Sequence, residues 1–289
     1  MLHLSNCLAA GALVVALTPA LAAAEPPQSA SQASTQSEPD AGPETQNSGT
    51  DFTRPENSLE SRTQYRQSSG TDTRTDRERE FIRLTGRFEL GDDWKLAWFA
   101  QGQLLNKDTT SSNPSSSEQE FGLGDSTFQA ALIQTLSERW AYGFGARLVA
   151  PTAQDDLGSG KWQIMPGFGV RYSLTELGPD SHFVPQVRYA VSFAGEASKR
   201  NISEPQIAPT LNLDLPDRWF LTLYPSNDIR INYGDPVSGQ TGRLFLPADF
   251  EIGHHLSDKV LMSLEIGVPI IKDYPVYDFK AEFRVVIKN

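Results

Sequence analysis

The chain has 289 residues, with 25 Lys and Arg against 36 Asp and Glu, for a formal net charge of −11. No basic patch with interleaved aromatics occurs, so nothing points to a nucleic-acid partner. The single cysteine, Cys7, excludes a disulfide framework, and the mean hydropathy of −0.39 suits any fold in which only alternate residues must be apolar.

Leu8 to Ala24 is an almost unbroken apolar run ending in Ala22-Ala23-Ala24, ahead of Glu25-Pro26-Pro27. It has the form of a secretory signal peptide cleaved after Ala24; its short length and Pro19 argue against an anchor helix. Cys7 precedes the apolar run, so lipidation there is not expected. Residues 25–57 are rich in Ser, Gln, Thr, Pro, Glu and Asp and hold hardly an aliphatic side chain. Such a stretch cannot bury enough apolar surface to offset its ordering entropy, and it reads as a disordered leader. The domain reading is therefore signal 1–24, leader 25–57 and a strand-rich body 58–289.

After about residue 80 every recognisable segment of the chain alternates. Phe183, Pro185, Val187, Tyr189, Val191 and Phe193 share one side of their segment, and Gln186, Arg188 and Ser192 take the other. Near the end, Tyr277, Phe279, Ala281, Phe283, Val285 and Ile287 oppose Asp278, Lys280, Glu282 and Arg284. A period of two means strands. Candidate strands fall near 58–68, 79–90, 94–105, 123–136, 139–150, 161–173, 182–194, 203–214, 217–233, 242–254, 259–271 and 276–287, twelve in all. One face is very apolar and the other often ionic, the reverse of a water-soluble sandwich. The expected fold is all-β: an antiparallel up-and-down transmembrane β-barrel with lipid outside and water inside.

Connections alternate in length. Short turns at 91–93, 137–138, 215–217 and 257–258, and a longer one near 175–180, alternate with polar loops at 69–78, 106–122, 151–160, 195–202, 234–241 and 272–275. Short periplasmic turns and longer outer loops are the outer-membrane pattern. Trp94, Trp140 and Trp219 each follow a short turn and would form a periplasmic aromatic girdle, because amphipathic rings favour the membrane–water boundary. Three ordinary core tryptophans would give the same spacing.

The period places Arg83, Arg87, Arg147, Lys161, Arg171, Arg188, Arg230, Arg243, Asp249, Glu251, Glu265, Glu282 and Arg284 on the inner face, as candidate lumen-lining residues, together with Asp228. If the last strand pairs with the first, Glu282 meets Arg62 or Arg66. Such a lumen is either a selective passage or a salt-bridged filling. Gly143, Gly145, Gly167 and Gly169 also point inward, leaving room or allowing close approach.

No catalytic, cofactor or metal site is expected. The four histidines lack metal-ligand spacing, and His254 and His255 point to opposite faces. His255-Leu256-Ser257 superficially matches the His-x-Ser of outer-membrane phospholipase, but Ser257 falls in a predicted periplasmic turn. Asp155-Asp156 with Gly158 reads as a solvated turn before a calcium loop.

Phe121-Gly122-Leu123-Gly124-Asp125 resembles the Gly-x-Gly-Asp signature of the outer-membrane proteins named for the meta-pathway of phenol degradation. The likeness continues through Arg139–Ala150, Pro151-Thr152, Gly158, Gly160 and Trp162, and in rhythm to residue 289. It implies an exported barrel in the bacterial outer membrane, with a transport role for small, often aromatic or hydrophobic, compounds and no catalytic residues to carry over. Its partners would be lipid, a small solute and the barrel-insertion machinery. That machinery recognises a terminal aromatic, whereas this chain ends Ile287-Lys288-Asn289, with Phe283 the nearest aromatic. The alternatives are a non-conducting structural barrel and, more distantly, an outer-membrane hydrolase.

Overall fold

A sheet with one apolar and one ionic face has no stable edge in water or lipid, and closure removes both edges. The computed structural model describes residues 47–70, 72–112, 115–154 and 157–289. The signal segment 1–24, leader residues 25–46 and the Asp155-Asp156 turn lie outside the described residues.

The strands are β1 (Ser58–Ser69), β2 (Thr73–Glu89), β3 (Trp94–Ser112), β4 (Ser115–Leu123), β5 (Ser126–Thr135), β6 (Trp140–Ala150), β7 (Lys161–Ser173), β8 (His182–Gly195), β9 (Ser203–Asp214), β10 (Trp219–Leu223), β11 (Ile229–Ile231), β12 (Leu244–His255), β13 (Val260–Lys272) and β14 (Phe279–Lys288). Each pairs antiparallel with its neighbours in the wall, and β14 returns to β1 with Arg62 opposite Arg284, so the sheet is closed. No α-helix occurs among the described residues. β4 and β5 are one wall strand interrupted at Gly124-Asp125, and β10 and β11 another interrupted at 224–228, so fourteen elements make twelve crossings.

Both interruptions have local causes. Asp125 turns from the wall and accepts bonds from the Ala153 and Ser159 N–H groups (3.3 and 2.8 Å) and from the Ser159 hydroxyl (2.8 Å), tying down the 151–160 loop. The Gly-x-Gly-Asp signature is thus a loop clamp. At the second break Tyr224 adopts a left-handed φ of 52°, a conformation that costs a non-glycine residue about 1–3 kcal/mol. Pro225, Ser226, Asn227 and Asp228 then fold into the lumen.

Within the expected loops at 69–78 and 106–122, residues 69, 73–78, 106–112 and 115–122 are strand instead. β2 and β3 run 17 and 19 residues, well beyond the ~9–11 that span a bilayer, and β4 pairs on through Ser112 opposite Ser115. Polar cross-strand pairs support this extension: Lys107 with Glu120, Ser117 with Asp108 at 3.1 Å, and Gln119 with Asn106 at 3.0 Å. Composition suggested loops, yet Thr- and Ser-rich alternation serves a sheet wet on both faces.

The outer face carries the exposed apolar side chains, among them Leu84, Phe128, Phe144, Phe168, Val187, Ile252 and Leu264. It is the face that meets membrane lipid. Trp94, Trp140 and Trp219 are the first residues of β3, β6 and β10, all at the short-turn end. Trp94 packs edge-on against Tyr142 and Phe144, Trp140 against Tyr172 and Trp219 against His254, so this end carries an aromatic band.

Candidate functional site

The inner face holds nearly all the buried charge. A cavity of about 780 Å3 runs along the lumen, from Glu56 and Lys288 at the short-turn end to Arg77 and Val276 near the long loops. Twelve basic and nine acidic side chains line it, so the lining is net positive in a chain that is net negative.

Of the residues expected inside, Arg83, Arg147, Arg188, Asp228, Arg230, Glu251, Glu265, Glu282 and Arg284 line this cavity. Lys161, Arg171 and Asp249 are buried but off the cavity. Arg87 and Arg243 are exposed and stand outside the cavity lining. Arg87 donates to the Pro55 carbonyl (3.1 Å) and Arg243 stacks over the Tyr233 ring (5.1 Å), each near a strand end where alternation no longer separates lumen from solvent. The closure pair forms, with Arg62 Nη1 3.0 Å from Glu282, while Arg66 turns to Asp228 at 3.6 Å.

The acidic side of the lumen is internally compensated. Lys280 is fully buried and donates to Asp228 (2.7 Å), Asp249 (2.9 Å) and Glu265. Arg230 holds Asp228 at 2.8 Å, and Arg284 holds Glu251 at 2.5 Å. The three carboxylates around Lys280 sit within 4.8 Å of one another, a spacing that suits a cation. The ammonium group already fills that role.

The segment 47–57, expected in the disordered leader, is instead packed inside the short-turn end of the barrel. Asp51 organises it. Its carboxylate accepts from the Thr53 N–H (2.9 Å), the Thr53 hydroxyl (2.6 Å) and Arg54 Nε (2.8 Å), with Arg171 Nη1 at 3.8 Å. Burial alone would raise the Asp51 pKa, but Arg54, His182, the Thr53 hydroxyl and Arg171 outweigh it and hold the carboxyl below its ordinary value. Arg284 donates to the Ser48 carbonyl and Lys288 to the Asn47 carbonyl, both at 2.8 Å. Composition missed this plug because it shows neither the local bonds around Asp51 nor the wall cations that hold the Ser48 and Asn47 carbonyls.

Phe52, the sole aromatic between residues 25 and 57, explains two of the inward glycines. Its ring lies where a Cβ at Gly143 or Gly169 would stand, 2.6 Å away in each case. Gly143 and Gly169 are direct cross-strand partners on β6 and β7, so together they form a slot. Converting both to alanine is expected to push the ring out and raise the reactivity of a Ser48→Cys thiol by about tenfold, a shift of ~1.4 kcal/mol in plug occupancy. Unchanged reactivity would mean that the slot does not hold the plug.

Ser257 accepts from the Lys259 and Val260 N–H groups (3.3 and 3.1 Å), and the His255 ring packs on Phe220 at 5.5 Å. The serine is a turn cap with no bond to that histidine.

Comparison with curated proteins gives no match. Among solved structures the chain is similar to an outer membrane channel from Pseudomonas putida F1, at 15% identity over 86% of this chain and 99% of that one, with a TM-score of 0.61. The transport unit of the autotransporter AIDA-I from Escherichia coli aligns at 7% identity over 82% and 91%, TM-score 0.49. The translocator domain of the autotransporter NalP from Neisseria meningitidis aligns at 9% over 83% and 91%, TM-score 0.47. At such identities the first likeness speaks to fold alone. The family model described as "Putative MetA-pathway of phenol degradation" matches residues 65–226, more than half of the chain, and the chain belongs to that family.

Proposed function

We propose that the protein is a passive outer-membrane channel for small solutes, exported through a signal peptide cleaved after Ala24 and oriented with its short turns and plug toward the periplasm. The observation that carries this reading is the lumen cavity of about 780 Å3, lined by twelve basic and nine acidic side chains. A barrel built only as a wall has no use for so many desolvated charges, each of which opposes burial. Rings of charged side chains set ion preference in pores, and the net positive lining favours anions.

The test is single-channel recording from the full chain, purified from membranes, in a planar bilayer. Discrete steps with a reversal potential on the anion-selective side are expected. A protein that is folded and inserted yet silent would rule out conduction in this state. It would favour the second reading, a barrel occluded by its own plug, which the anchoring of 47–57 by Arg284 and Lys288 supports.

A further inference from the structure

Three arginines of the lumen wall share one device. Arg83 stands directly opposite Gln101, Arg147 opposite Gln129, and Arg188 opposite Gln206 in the β-ladder. In each pair the arginine Nε donates to the glutamine Oε1, at 2.9, 3.0 and 2.5 Å. A glutamine there fixes the guanidinium plane as well as a carboxylate would, but leaves the charge intact.

On β1 and β14 the pattern is reversed, and Lys280, Arg284 and Arg62 are matched by carboxylates. Arg83 is partly matched, with Glu60 at 3.7 Å. Arg147 and Arg188 have no carboxylate within ion-pair distance among the described residues. The guanidinium groups are also gathered in space. Those of Arg83 and Arg147 lie 4.4 and 5.2 Å from the centre of the Phe99 ring, and Arg147 and Arg188 line a second, smaller cavity of about 90 Å3.

We propose that these arginine–glutamine pairs form a binding site for carboxylate-bearing small solutes, with Arg147 and Arg188 as its main contacts. This deepens the channel reading and rests on it for the solute's passage. In Arg147 and Arg188 only Nε is used to orient the group, so the η nitrogens remain to grip a carboxylate as a planar fork, whereas Arg83 also gives Nη2 to Gln101 at 2.6 Å. A permanently cationic surface held by neutral partners is a costly arrangement for a filled wall and a useful one for an anionic solute.

Succinate, with neutral succinamide as control, tests the site by calorimetry on the full chain in detergent, and bilayer recording tests the channel separately. Succinate should bind and succinamide should not. Gln129→Glu with Gln206→Glu satisfies the same hydrogen bonds but neutralises the two main arginines, so a structural role predicts unchanged stability and unchanged binding. The site predicts at least about tenfold weaker succinate binding in a barrel that still shows its heat-dependent gel shift. Arg147→Gln with Arg188→Gln should weaken binding at least as much. Binding lost in both variants supports the site even if bilayers stay silent, in which case the channel reading alone falls. Equal binding of succinate and succinamide, or no change in either variant, overturns the site even in a conducting barrel.

Discussion

Replacing Lys280 by methionine is expected to destabilise the barrel by about 3–5 kcal/mol, the range for removing one partner from a buried ionic cluster. The ammonium lies between Asp228, Asp249 and Glu265, and its loss leaves three buried carboxylates within 4.8 Å of one another. Arg230 and Arg66 still reach Asp228, at 2.8 and 3.6 Å, so the strain falls mainly on Asp249 and Glu265. Asp228 also anchors the inward fold at 224–228, which places Ser226 2.9 Å from Glu265. The measurement is the urea midpoint of the detergent-solubilised barrel. Adding Asp249→Asn and Glu265→Gln to Lys280→Met should recover most of the loss, because the unpaired charge dominates the cost. A midpoint unmoved by the single change would mean that the cluster is hydrated and contributes little.

The second large effect concerns the plug. Asp51→Asn removes the charge that Arg54 and Arg171 share while keeping the size of the side chain. Charge-assisted bonds of this kind contribute about 1.5–3 kcal/mol each. The released population of segment 47–57 should therefore rise about tenfold or more, read as Ser48→Cys reactivity and as conductance. Acid should do the same to the native chain. A carboxyl depressed in the folded state adds stability above its ordinary value of 3.8, and that stability is lost as pH falls through the lower folded value. The plug should therefore hold at neutral pH and release only below the ordinary carboxylate range. Asp51→Asn should abolish that acid transition, even though His182, Arg54 and Arg171 still face the segment. An acid transition identical in the variant would assign it to other buried carboxylates.

How much was legible differs by element. The alternation in β8 and β14 is unambiguous, because Arg188 or Glu282 in a lipid-facing register would be ruinous. Nine of the inner-face residues are found at the cavity for that reason. The extension of β2 to β4 was not legible, since a two-sided wet sheet carries no apolar stripe to count. The break at 224–228 was written in the sequence as Tyr224-Pro225-Ser226-Asn227-Asp228, a run of turn formers, but it lay within an otherwise alternating stretch. The glutamines were legible only as polar inward positions. That Gln129 faces Arg147, and not a carboxylate, depends on register across two strands.

The sequence by itself determined the sheet, its two faces, the number of crossings and the end at which Trp94, Trp140 and Trp219 begin their strands. These follow from periodicity, and periodicity is local: each residue's face is set by its neighbour two positions away. Only the tertiary structure decided which charges meet, where the lumen stays open and that residues 47–57 fill one end of it. Those outcomes depend on contacts between positions more than a hundred residues apart, such as Ser48 with Arg284 and Thr50 with His182. A polar segment with a single aromatic has no folding drive of its own. It becomes ordered because the closed wall offers a glycine slot for Phe52 and cations for its carbonyls and its carboxylate.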